Sequence, residues 1–201
     1  MLVEDYNPEW MIWFVTLREF LAKQLGDSYI AIEHIGGTSV PGMVAKPIID
    51  IDIVIRVGAF ADIRRELCAI GYRHEGDLGI SGREAFDLRT AKMKSSLPAH
   101  HLYVCQSDCA ELQRHIAFRN YLRRHEAIVV DLSFLKILLV SKHDNDLQAY
   151  ICGKSEMVRQ ITENALVEDE GGGEQQKVGE CLNCNNAFSV ICLTISDFPH
   201  I

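Results

Sequence analysis

Asp50 and Asp52 are the residues of this chain best suited to chemistry, and a single isoleucine separates them. They lie within residues 48–57, a run rich in β-branched side chains that reads as a strand. Residues two apart on a strand share a face, so both carboxylates point one way while Ile49, Ile51 and Ile53 point the other, into a core. Two neighbouring carboxylates repel and raise each other's pKa unless a cation lies between them. Hard oxygen ligands of this kind suit Mg²⁺, or Mn²⁺, bound together with substrate phosphates. A half-exposed edge with two solvated acids is the plain alternative. Aspartate, however, has low strand propensity, and two in an apolar strand are a conflict of the sort that marks functional sites.

Upstream stands Gly36-Gly37-Thr38-Ser39. Adjacent glycines let backbone N–H groups turn toward a ligand, and Thr38 and Ser39 add hydroxyls. Alone, this is an ordinary tight turn with Ser39 as a cap; paired with the acids it becomes a candidate phosphate turn. Lys46, just before Pro47, either reaches a phosphate or is a solvated loop lysine. His34 either bonds within the site or is a structural histidine. His101 reads as a metal ligand, a base or a packed core histidine, whereas His100 beside it should face away. His115, Arg119 and Arg123 are spaced by four and share one helix side, which either guides an anionic substrate or is a solvated face. Lys136 sits in an apolar helix, where it either points at the site or snorkels to solvent.

The positioning elements follow from pattern. Asn7 caps and Pro8 opens an amphipathic helix that ends near Gly26. Residues 29–35 read as a strand, 36–39 as a turn and 40–45 as a short irregular connection. Residues 60–70 read as a helix stopped by Gly71, and 74–82 as hairpin or loop. Two strands are expected at 84–90 and 101–105. Three helices are expected at 109–124, 129–142 and 144–166, the middle one apolar almost all round and therefore buried. Residues 167–180 are acidic and glycine-rich and read as a linker. The remaining segment reads as a docking strand or a disordered tail. Its Cys181 and Cys184 lack a second CxxC, so no zinc site is expected there.

The chain of 201 residues, 48% hydrophobic, can bury one ordinary core. The formal net charge of −8 argues against broad nucleic-acid binding but leaves room for a nucleotide carried on a divalent cation. No signal peptide or membrane-spanning run is apparent. The seven scattered cysteines fit reduced thiols, so a cytoplasmic protein is expected.

The combination of Gly-Gly followed by Asp-apolar-Asp resembles the signature of the nucleotidyltransferase superfamily related to polymerase beta. HIGGTSVPGMVAKPIIDIDIVI resembles more particularly the core motif of the GrpB family. The matching phrases Gly71-Tyr72, Gly82-Arg83, HHLYVC and RHIAFRNYLRRH follow in the same order, as do Lys136 and residues 150–154. The resemblance covers residues 3–166. It implies an α/β (α+β) nucleotidyltransferase-like fold: a mixed sheet with packed helices and a C-terminal helical segment. It implies that Gly36 and Gly37 hold a triphosphate turn, with Thr38 or Ser39 on a phosphate oxygen. Asp50 and Asp52 would bind one or two Mg²⁺ ions. Active members of the superfamily often carry a third carboxylate on a later strand. At that place this chain has His101 and Tyr103, with Asp87 as the other candidate.

Three functions are carried forward. The first is Mg²⁺-dependent transfer of a nucleotidyl group from a nucleoside triphosphate to an unknown acceptor. The second is a non-catalytic module that binds a nucleotide or another phosphorylated small molecule. The third is an accessory domain acting through protein contacts.

Overall fold

The computed structural model describes residues 2–171. Asn7 Oδ1 accepts the Glu9 N–H at 2.9 Å, and from there α1 (Glu9–Leu25) runs to Gly26, whose φ of 52° ends it. The chain continues through β1 (Ala31–Ile35), a 3-10 turn (Gly37–Ser39), β2 (Ile49–Ile55), α2 (Phe60–Ala69), β3 (Tyr72–Gly76), β4 (Arg83–Leu88), the short α3 (Ala91–Lys94) and β5 (His100–Gln106). Three helices close it: α4 (Ala110–Arg124), α5 (Glu126–Lys142) and α6 (Leu147–Gly171).

The sheet is mixed, in the order β1-β2-β5-β4-β3, and only the β2–β5 pair is parallel. This is the α/β sheet with packed helices and a C-terminal helical segment that the family resemblance implies. Ile49, Ile51, Ile53 and Ile55 bury one face of β2 against Trp10, Phe14, Leu17 and Leu21 of α1 and Ile63 and Leu67 of α2. Alternation then turns Asp50, Asp52 and Val54 to the opposite face. There, Val54 packs with Cys105, Cys109 and Leu112, which brings α4 over the acids. Val40 and Met43, in the loop after the turn, join residues of α4, α5 and α6 in a second core.

Three expectations need correction. Tyr72–Gly76 is a strand, paired with β4, where the sequence suggested hairpin or loop from residue 74 onward. Its Arg73, His74 and Glu75 are polar because it is an edge strand, and this hid the pattern. Helix α5 is buried on one side only: Val130, Phe134, Ile137 and Leu138 are exposed. Helix α6 runs past residue 166 to Gly171, because Glu168 and Asp169 pair with Arg124 of α4. The linker and tail from residue 172 onward lie outside the described residues.

Candidate nucleotide site

The register across the sheet aligns the candidate residues in rows. Ile35, Asp50 and His101 are cross-strand partners, and so are Glu33, Asp52, Tyr103 and Ala85. Because Ile35 pairs with Asp50, the glycine turn that follows Ile35 begins at the Asp50 end of β2. Gly36 has φ 70° and ψ −172°, a conformation that is essentially glycine-only. Gly37 is needed for a different reason: a Cβ there would lie 3.1 Å from the Ala45 Cβ and 3.2 Å from Lys136 Nζ. The Lys136 ammonium therefore stands against the glycine turn. It is buried and donates to the Val44 carbonyl at 2.8 Å. Ser133, one turn earlier on α5, accepts the Val44 N–H at 3.0 Å, so α5 holds the loop below the turn by two bonds.

Asp50 and Asp52 are both buried but differ in partners. His101 Nδ1 donates to Asp50 Oδ1 at 2.9 Å, and the His101 side chain is 16% exposed, so this end of the row reaches solvent. Asp52 Oδ2 accepts a 2.6 Å bond from His115 Nδ1 on α4, which is fully enclosed. His115 Nε2 faces Glu111 Oε1 at 3.2 Å, a charge contact outside hydrogen-bond alignment. Burial alone would depress His115, but Asp52 and Glu111 on either side push it up to about 9 and hold it as the imidazolium. Burial also opposes the charge on Glu111; His115, Arg83 and Arg114 outweigh it and hold that carboxyl below its ordinary range.

Arg83 belongs to the same region. It is almost wholly buried, with its guanidinium carbon 4.4 Å from the Tyr103 ring centroid. Its Nε and Nη1 have no hydrogen-bond partner among the described residues, and neither does Asp52 Oδ1.

The remaining candidates separate into groups. His34 lies on the α1 side of the sheet, stacked on Phe14 with ring centroids 4.6 Å apart. Its Nε2–H donates to Thr38 Oγ1 at 3.0 Å, and the Thr38 hydroxyl donates to the Ile48 carbonyl. Burial keeps His34 at about 4 despite nearby Asp50, so it is neutral and braces the turn from behind. Ser39 Oγ donates to the Gly36 carbonyl at 2.6 Å. Thr38 and Ser39 thus direct their hydroxyls to their own loop. Lys46 is half-buried in the connection to β2. Asp87 is engaged by Arg89 at 2.7 Å and Lys94 at 3.6 Å, on the far side of β5 from Asp50. His100 turns away to the Tyr72 hydroxyl, as alternation requires.

The basic stripe of α4 faces inward. His115 meets Asp52, Arg119 bonds Glu33 at 2.6 Å and the His34 carbonyl at 3.0 Å, and Arg123 donates twice to the Ser39 carbonyl. It clamps α4 to β1, β2 and the glycine turn. Sequence reasoning missed Glu111, Arg83 and the direction of this stripe. The one available signal is Gly82-Arg83, which in the sequence stands only as a phrase shared with the family.

Whether a divalent cation suits this face can be judged from the donors. Two buried carboxylates share it, and Asp52 keeps one oxygen without a hydrogen-bond partner while the other is anchored. Mg²⁺ is ordinarily held by one or two carboxylates plus phosphate oxygens, with the ligating carboxylates themselves hydrogen-bonded. The donor set fits that pattern. No cluster of three or more His, Cys, Asp or Glu ligands occurs among the described residues.

A small α/β protein with a buried acid pair beside a glycine turn is thus the class that fold and site define. The chain belongs to the GrpB family, described as GrpB protein, which matches residues 1–164. It is 35% identical over 182 residues to UPF0157 protein YqkA of Bacillus subtilis, covering 90% of this chain and 52% of that protein. The chain therefore spans about half the length of that relative. UPF0157 protein BH1888 of Halalkalibacterium halodurans is 30% identical, with 80% of each chain covered. The crystal structure of conserved protein GrpB from Enterococcus faecalis superposes with a TM-score of 0.72 at 34% identity, covering 84% of this chain and 99% of that one. Among the described residues, no helix is long and apolar enough to cross a membrane.

Proposed function

We propose that this protein binds a nucleoside triphosphate, or another phosphorylated small molecule, together with Mg²⁺ or Mn²⁺, and transfers a nucleotidyl group to an acceptor. The observation that carries the reading is the convergence of three groups. Asp50 and Asp52 share one buried face of β2, the glycine turn begins beside Asp50, and Lys136 stands against that turn.

Asp50 and Asp52 Oδ1 would hold the cation, which when bound supplies charge neutralisation at the phosphates. His115 and Glu111 fix the Asp52 carboxylate so that its free oxygen keeps one orientation. Gly36 and Gly37 would form the phosphate turn, and Lys136, packed against Gly37, would offer it a positive charge. Thr38, Ser39 and the inward-facing Arg119 and Arg123 keep the turn's shape. In the transfer, an acceptor oxygen forms a bond to the α-phosphorus while the bond to the bridging oxygen breaks, releasing pyrophosphate. With its Nδ1–H donated to Asp50, His101 presents Nε2 as the group to take the acceptor's proton. Tyr103 and Arg83 close the site behind the acids.

Isothermal titration with Mg-ATP and the other Mg-nucleoside triphosphates tests this reading. Binding should disappear in the Asp50→Ala/Asp52→Ala double variant; undiminished binding there rejects it. One observation favours the binding-only alternative. Two further acids of the sheet are already committed: Glu33, directly across from Asp52, to Arg119, and Asp87 to Arg89 and Lys94. Time-dependent pyrophosphate release with a candidate acceptor would decide for the enzyme.

A further inference from the structure

Arg83 carries a buried charge whose donors the transfer chemistry does not use. It is 1% exposed, and its Nε and Nη1 have no hydrogen-bond partner among the described residues. Buried polar groups are ordinarily bonded, and buried charges all the more, so such an exception calls for a cause.

Arg83 and Ala85 are two apart on β4 and share a face, the one on which Ala85 packs with Tyr103 and Ile35. Tyr103 is the cross-strand partner of Asp52, one strand away at about 5 Å. The Arg83 guanidinium lies over the Tyr103 ring, and its charge helps to hold Glu111 ionised. The buried charges therefore alternate: Asp52 negative, His115 positive, Glu111 negative, Arg83 positive. The series ends on a cation whose N–H groups suit the oxygens of a carboxylate or phosphate. The glycine turn and Lys136 lie beside β1 and β2, whereas Arg83 is on β4, two strands from β2. An anion at Arg83 would thus be separate from a triphosphate at the turn.

The loop between β3 and β4 covers this patch. Its Leu78 packs on Ile35, Ala85 and Tyr103. Leu78 has φ 51°, a left-handed conformation uncommon for leucine. Two bonds of the loop are local, from the Gly79 and Ile80 N–H groups to Asp77, at 2.9 and 3.0 Å. Its far end is fixed, since a Cβ on Gly82 would lie 2.9 Å from Cys109 Sγ at the start of α4. A strained side chain on a locally bonded loop is a cover that a ligand can displace.

We propose that Arg83 receives the anionic group, a carboxylate or phosphate, of the molecule that accepts the nucleotidyl group, once Leu78 lifts from Tyr103. The acceptor is then an anionic small molecule. Its role as acceptor rests on the transfer reading; the anion site itself does not.

The test is an NMR titration of the isotope-labelled full chain with sodium phosphate and, separately, sodium acetate, without metal or nucleotide. The Arg83 Nε–H signal is assigned by its loss in Arg83→Lys. It should shift saturably with at least one of the two anions, which tells phosphate from carboxylate, and not with sodium chloride at equal ionic strength. Leu78→Ala removes most of the cover and keeps the left-handed strain, so it should tighten the titration by about threefold or more as the open form becomes more populated. The shift should persist with a saturating non-hydrolysable Mg-ATP analogue. An Arg83 signal unmoved by both anions overturns the proposal, as does one that follows chloride equally, or a Leu78→Ala protein that binds no more tightly. Loss of the titration when the analogue is bound overturns the assignment to the acceptor. The nucleotide-free arms are independent of the Mg-nucleotide titrations that test the transfer reading, so the two can fail separately.

Discussion

Asp50 and Asp52 sit two residues apart on one face of one strand, but they occupy different surroundings. Asp52 is enclosed by α4, and its partner His115 is itself backed by Glu111, so a chain of alternating charges runs from strand to helix without reaching solvent. Asp50 bonds His101 across the sheet, and His101 opens toward solvent beside the glycine turn. A buried carboxylate needs a cation. At Asp52 the protein supplies one from its own helix. At Asp50 the partner His101 lies at the solvent edge, which leaves that end of the row open to a ligand. One acid is therefore chiefly an anchor and the other chiefly a contact.

The largest effect should come from breaking the anchor. His115→Ala leaves Asp52 and Glu111 facing each other without the imidazolium, and should cost about 3–5 kcal/mol of stability in urea unfolding. A loss below about 1 kcal/mol would show that Asp52 does not depend on His115.

The pH dependence sharpens the same point. His115 is raised in the folded state from an ordinary 6.5 to about 9. Its contribution is complete below 6.5 and fades as the pH rises through about 9. His34 is lowered from 6.5 to about 4, so its contribution is present above 6.5 and fades as the pH falls through about 4. Thermal unfolding midpoints should therefore decline on both sides of neutrality. His115→Ala should flatten the alkaline limb and leave the acid limb in place.

On the contact side, Gly36→Ala forces a side chain into a glycine-only conformation and should cost about 1–3 kcal/mol, read from the same urea curves. Asp50→Asn should have the smallest effect on stability. The amide keeps an oxygen for the His101 N–H, so the loss should stay within about 1 kcal/mol.

Local pattern made the β2 pair readable: alternation alone put both acids on one face, and the adjacent glycines announced the turn. The partners of Asp52 were not readable in the same way. His115 and Glu111 lie far along the chain, and helical spacing tells which residues share a side without telling what that side meets. For the same reason the α4 stripe of His115, Arg119 and Arg123 read as a guide for an anionic substrate or a solvated face, whereas it grips Glu33, Ser39 and Asp52. Lys136 was visible as an oddity in an apolar helix; its position against Gly37 needed the loop of Met43 and Val44 to be folded over it. The outward stripe of α5 misled because composition records apolarity but not which side is covered.

The difference between the two acids is tested most directly by Mg-nucleotide affinity in Asp50→Asn, measured by isothermal titration beside the unchanged protein. The account predicts an unfolding curve close to that of the original chain and an affinity lower by tenfold or more, about 1.4 kcal/mol. A folded Asp50→Asn protein that binds the Mg-nucleotide as tightly as before would contradict it.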